Sequence, residues 1–170
     1  MQPVFVMVDV DVRRGTESGS STKLTLRKLV FPHPKLKTLG NTGGASPLSV
    51  NYAIPRSEPP EPKAEYAGPN FDLFRDFGTV QAWTFAGALL NTETGQPVPA
   101  RAEFRGAIAS FEPSETDPES MQTCNYGWAS VDEFGFTVDG EELFFISNRT
   151  DTLRFKGHDL RESYRRALGA

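Results

Sequence analysis

At 170 residues, with 38% apolar and 24% charged side chains, the chain suits one globular domain with a real core and is not disordered in composition. Its 13 prolines and 15 glycines exceed what a helical bundle tolerates. No apolar run approaches the roughly 20 residues of a membrane span, and one cysteine, Cys124, rules out an internal disulfide framework, leaving only an intermolecular bridge open. The net charge of -4 is unevenly spread. Residues 91–148 carry Arg101 and Arg105 against eleven carboxylates, while residues 149–170 are net basic. An acidic middle argues against nucleic-acid binding there, because DNA affinity comes from Lys and Arg neutralising phosphates.

In chain order, Val4, Val6, Val8, Val10 and Val12 alternate with polar or unlike residues, predicting a strand with the valines on one face and Asp9 and Asp11 on the other. The start lacks a basic leader and a small-residue cleavage site, so it is not read as a signal peptide. Residues 15–22 read as a loop. A second strand is expected over Lys23–Phe31, stopped by Pro32 and Pro34. Residues 38–47 read as an exposed Gly-rich loop, followed by a strand over Leu48–Ile54 and a stiff proline-rich crossover over Pro55–Pro62. Asn70 caps a short helix that presents Phe71, Leu73, Phe74 and Phe77 and ends at Gly78. Two turns are unstable alone, so this helix must dock on a sheet.

The strongest hairpin signal joins Val80–Leu90 to Val98–Phe111 through the polar residues 91–96. Val98, Ala100, Ala102, Phe104 and Ile108 share one face of the second arm, and Arg101, Glu103 and Arg105 the other. Residues 112–119 form an acidic loop. Strands over Met121–Asp132, Phe134–Val138 and Leu143–Ile146 follow, with Asp139–Gly140 as a hairpin turn. The chain closes with a helix over residues 158–169: Asp159 and Glu162 make a capping box, Leu160, Tyr164, Ala167 and Leu168 an apolar stripe, and Glu162 can pair with Arg166.

Catalytic and metal chemistry find little footing. His33 and His158 lie far apart, neither in a ligand-spaced motif, and Cys124 in an apolar strand reads as a small buried hydrophobe. The glycines of residues 40–44 match no phosphate-binding pattern, and the acidic loop lacks calcium-loop spacing. No catalytic, cofactor or metal residue is assigned.

The second half carries a resemblance. Val138–Leu143 (VDGEEL), then Ile146, the extended Leu153–Gly157, and a helix opening at Asp159–Leu160 and ending Arg165–Gly169 follow one another in a recognisable order. Phe104–Arg105–Gly106, the polar turn Asn91–Gly95, the short helix before Gly78 and the loop Gly40–Ala45 fall in the same order. Together they resemble the major tail tube family of contractile-tailed phages and R-type tailocins over roughly residues 24–170; residues 1–22 depart from its pattern.

That resemblance implies a mainly β chain, an antiparallel β-sandwich or barrel with a short central helix and a C-terminal helix. It implies hexameric rings stacked into the inner tube of a contractile tail, a structural role without enzymatic activity, and a virion protein assembled in the host cytoplasm. Implied partners are further copies of the chain, the tail sheath protein, and baseplate and tail terminator proteins. DNA passes without specific binding, and no membrane is involved. An acidic channel would repel DNA, with Glu93, Glu103, Asp132 and Glu133 as candidates for its lining. Inter-ring or inter-subunit contacts are expected from Gly40, Asn41, Thr42, Gly43 and Gly44 and from Arg161, Arg165 and Arg166. Three alternatives stay open: a type VI-like or extracellular injection tube, a monomeric β-barrel binding module, and a small hydrolase using Cys124.

Overall fold

A computed structural model describes residues 2–15, 21–41, 43–45 and 47–170. In chain order they form β1 (Phe5–Arg14), β2 (Leu26–Val30), β3 (Leu36–Asn41), β4 (Val50–Ser57), β5 (Lys63–Ala67) and α1 (Phe71–Phe74). There follow β6 (Gln81–Asn91), β7 (Pro97–Pro113), β8 (Thr123–Val138), β9 (Glu141–Ser147), β10 (Thr152–Phe155), β11 (His158–Asp159) and α2 (Glu162–Ala167). The main sheet is antiparallel with order β1-β6-β7-β8-β9-β10-β11. Strand β8 divides it: residues 123–127 pair with β5, which carries β2, whereas residues 133–138 pair with β9. β3 and β4 form a separate two-stranded arm. The chain is therefore mainly β and antiparallel, with two short helices, as expected.

The core lies where the diverging strands face each other. Val12, Tyr66, Trp83, Phe85, Phe104, Ile108, Tyr126, Trp128 and Phe134 are buried there, with Leu73 of α1 packed beside them. The period-2 pattern of β6 and β7 supplies one wall: Trp83 and Phe85 stand beside Phe104 and Ala102 in register. The rings meet edge to face, with Phe85 at 4.8 Å from Phe104 and 5.1 Å from Trp128 between centroids. Such pairs add about 0.5–1.5 kcal/mol each beyond their buried area.

The structure corrects several expectations. The five N-terminal valines do not share a face: the β1–β6 register slips between Met7 and Asp9, so Val10 and Val12 lie on the core side with Met7, and Val6 opposite. A bulge inserts one unpaired residue and reverses the alternation on one side of it. Residues 38–41 are strand, not loop, because β3 pairs with β4 through Asn41–Val50. The strands expected over Met121–Asp132 and Phe134–Val138 are one strand, β8, bent by register shifts against β7. Gly106 stands at such a shift; a Cβ there would lie 3.0 Å from the Ala129 carbonyl oxygen. The turn at Asp139–Gly140 is as expected, with both residues at positive φ (51° and 79°).

The terminal helix differs too. His158 and Asp159 pair with Phe155 and Arg154 as β11, and the helix begins only at Glu162 after Arg161. Asp159 caps no helix box; its carboxylate accepts from the Leu153 amide of β10 instead. The expected apolar stripe stays largely uncovered: Leu160 is half-buried, Tyr164 and Leu168 are 49% and 79% exposed, and α2 buries no residue.

Candidate assembly surfaces

The sheet face opposite the core is built by register. One row across it reads Arg13, Thr84, Glu103, Gly135, Phe145, Arg154. The rows beside it read Asp11, Ala86, Arg101, Thr137, Glu142 and Ala82, Arg105, Glu133, Ser147, Thr152. Small residues of β6 alternate with charged residues of β7, leaving a hollow of about 610 Å³ lined by Glu103, Arg105, Glu133, Glu142 and Arg149 among others.

Two of the four candidate lining residues therefore share this face. Glu103 is exposed upon it, and Glu133 accepts a hydrogen bond from the Ser147 hydroxyl (2.9 Å). Glu93 lies at one end, exposed in the β6–β7 turn, where its amide donates to Asn91 Oδ1. Asp132 belongs elsewhere: it lines a cleft of about 720 Å³ between the root of the β3–β4 arm and β8–β10. The face is also mixed in charge. Carboxylates of Asp9, Asp11, Glu103, Glu133 and Glu142 alternate with guanidiniums of Arg13, Arg101, Arg105 and Arg154. Some are paired in place: Arg13 with Asp11 at 2.9 Å, and Arg154 with Glu142 through bonds of 2.6 and 3.1 Å. The carboxylate excess of the middle segment sits more at turns and in the exposed residues 112–119, of which Glu112 and Pro113 end β7 and only the rest form a loop.

A second surface is the β3–β4 arm. Leu39, Leu48, Val50 and Tyr52 are exposed on it, the first three at 60%, 69% and 38%. Of the predicted contact residues, Gly40 and Asn41 close β3 against Asn51 and Val50, Gly43 and Gly44 are exposed at the tip, and Thr42 lies outside the described residues. Buried Pro32 lies on the segment leading into the arm, and buried Pro60 and Pro62 on the segment leading out, stiffening both.

A third is the first half of β1. Val4, Val6 and Val8 are 62%, 47% and 60% exposed, and among the described residues no strand pairs with the outer edge of β1. The sequence pattern marked this strand but not its exposure, since the same alternation describes a strand covered by its own chain.

The predicted arginines are bound within the chain. Arg161 grips Asp151 (2.9 and 3.3 Å), Arg165 holds Asp159 (2.7 Å), and Arg166 pairs with Glu162 (3.2 Å) as the helical spacing predicts. Burial pushes the Asp159 carboxyl up, but hydrogen bonds from Arg165 and from the Arg161 and Leu153 amides outweigh it and leave the group below its ordinary value. Cys124 is wholly buried, and burial raises its thiol, the opposite of an activated nucleophile. Among the described residues no three His, Cys, Asp or Glu side chains gather as a metal site would need, and no helix is long and apolar enough to cross a membrane.

No curated protein matches the chain in sequence. Among solved structures it is similar to a chain of the sheath/tube terminator of an extracellular contractile injection system, PVC, in the extended state. That likeness has 12% identity and a TM-score of 0.45, covering 72% of this chain and 91% of the other. A family model described as phage tail tube protein FII matches residues 16–169, which takes in the surfaces described above except for all of β1. A match of that extent places the chain in the phage tail tube protein FII family.

Proposed function

We propose that six copies of this chain close into a ring, and that stacked rings form the inner tube of a contractile tail through which DNA passes. The observation that carries this reading is the open apolar half of β1, at the end of a sheet whose far face is rich in charged and polar residues. An exposed two-sided apolar edge is a liability in a monomer and is removed when a neighbour's strand covers it. Head-to-tail contacts of this kind generate rings when the rotation closes. The polar face then turns inward as the conduit wall, with Glu103 and Glu133 upon it, and the β3–β4 arm reaches the next ring through Gly40–Gly44.

The tube would be sheathed by the tail sheath protein, bounded by baseplate and terminator proteins, and assembled in the host cytoplasm into the virion. The balanced charge of the polar face supports a wall that neither grips nor strongly repels a polyanion. It also favours, as a second reading, an injection-system tube whose passenger is a protein. Negative-stain microscopy of the purified chain tests the proposal: sixfold rings or hollow rods are expected. A chain that stays monomeric at every concentration, with its β1 edge protected from hydrogen exchange, would sink it.

A further inference from the structure

We propose that the C-terminal segment β11–α2 is a removable plug on the outer edge of β10, and that this edge accepts the first half of β1 of a second copy once the plug is displaced. The inference rests on the ring-forming reading above and adds a control on it.

The two ends of the main sheet are unlike. Over the first half of β1 the edge is unpaired among the described residues and apolar on both faces. At the β10 end it is occupied, and by improvised means. The Leu153 carbonyl accepts from the Leu160 amide (2.9 Å), and the Leu153 amide donates to the Asp159 carboxylate (3.3 Å), a side chain standing where a strand carbonyl would be. Strand β11 adds only two residues of ladder, opposite Arg154 and Phe155.

What holds this cover is charge. α2 buries none of its residues, and a helix of its length has no stability of its own. Arg161 clamps Asp151 and Arg165 donates to the Asp151 carbonyl, which ties the segment to the turn before β10, while the Arg165–Asp159 pair holds β11 and α2 to each other. Asp151 is held at φ 50°, a region unfavourable for a residue with a Cβ. Partly exposed ion pairs contribute little each and weaken with salt. The plug is thus weakly held, while β9 and β10 beneath it are tied by an uninterrupted ladder and by the buried Leu153 side chain.

The occupant follows from continuity. β1 and β10 lie at opposite ends of one antiparallel sheet, so pairing between copies prolongs the ladder in one direction. A plugged edge keeps isolated chains apart, since one bare edge per molecule cannot propagate.

Two measurements test this. In the monomer, hydrogen exchange at Leu153 and Leu160 is followed for the native chain, Asp159→Asn and Asp151→Asn. Both variants should raise it by ~tenfold or more, with amides in β6 and β7 unchanged, and added salt should do the same in the native chain. Next, chains carrying Val6→Cys are mixed with chains carrying Thr152→Cys and treated with a short bis-maleimide, Cys124 being buried. A cross-link that forms faster in the Asp159→Asn background supports the plug. Unchanged exchange at Leu153, or raised exchange with no product joining positions 6 and 152, overturns it. Rings that form without the cross-link sink this inference alone; monomers under all conditions sink the tube reading with it.

Discussion

Phe85 shows how much a single position can hold. It is fully buried, and its ring meets Phe31, Phe104 and Trp128. Phe85→Ala should cost about 3–5 kcal/mol of stability, read as a lower midpoint of urea unfolding with little change in slope. Gly106 is the opposite case, needed for what it lacks. A methyl there meets the Ala129 carbonyl oxygen and Val131 at 3.0 Å, so Gly106→Ala should lose about 1–3 kcal/mol by the same measurement. Asp159 links stability to pH. Because its folded value lies below the unfolded one, its contribution is present above the ordinary carboxylate range and is lost as pH falls through the lowered value. The charges facing it are Arg165 on α2, which also donates to the Asp151 backbone carbonyl, and Arg154 on β10, paired to Glu142. Protection of the Leu153 amide, taken as its exchange relative to the intrinsic rate at each pH, should therefore fall on acidification in the native chain and lose that dependence in Asp159→Asn. Core aromatics such as Phe104 were legible as the apolar side of an alternating strand. The partners of Asp159 were not, because the capping pattern Asp159–Glu162 is local and the bond to Leu153 depends on how β10 and β11 fold back.

At the scale of elements, the long hairpin β6–β7 and the β8–β9 turn were readable because one buried face enforces alternation and Asp139–Gly140 suits positive φ. β3 and β5 were missed for different reasons. β3 buries no residue, so its residues show no periodicity, and only pairing with β4 makes them a strand. β5 is short, with just Ala64 and Tyr66 buried, and lies between proline-rich and turn segments. The bulge at Val8 also escaped pattern reading, since every second residue from Val4 to Val12 is valine on either register. The β3–β4 arm carries a direct prediction. Leu39→Ser with Tyr52→Ser should leave monomer stability within ~0.5 kcal/mol, as exposed positions do. The same pair should slow or abolish assembly by sedimentation velocity; unimpaired assembly would remove the arm from the contact.

For the whole molecule, the distribution of charge matters more than its sum. The chain is acidic, with a pI near 5.3, yet its polar sheet face balances carboxylates with arginines. Duplex DNA should therefore show no retention by the isolated chain in a mobility-shift assay at moderate salt. Binding with a steep salt slope would mean that several phosphates are being neutralised and that the arginines dominate the face. Composition, alternation and turn chemistry were enough to determine a mainly β, antiparallel protein with aromatic strands and a late helix, because those signals are local and repeat along the chain. Which edge is bare, which is plugged, and which carboxylates share a surface were decided only by tertiary structure. Those features depend on strand order and register, and neighbours in a sheet are brought together from positions far apart in the chain.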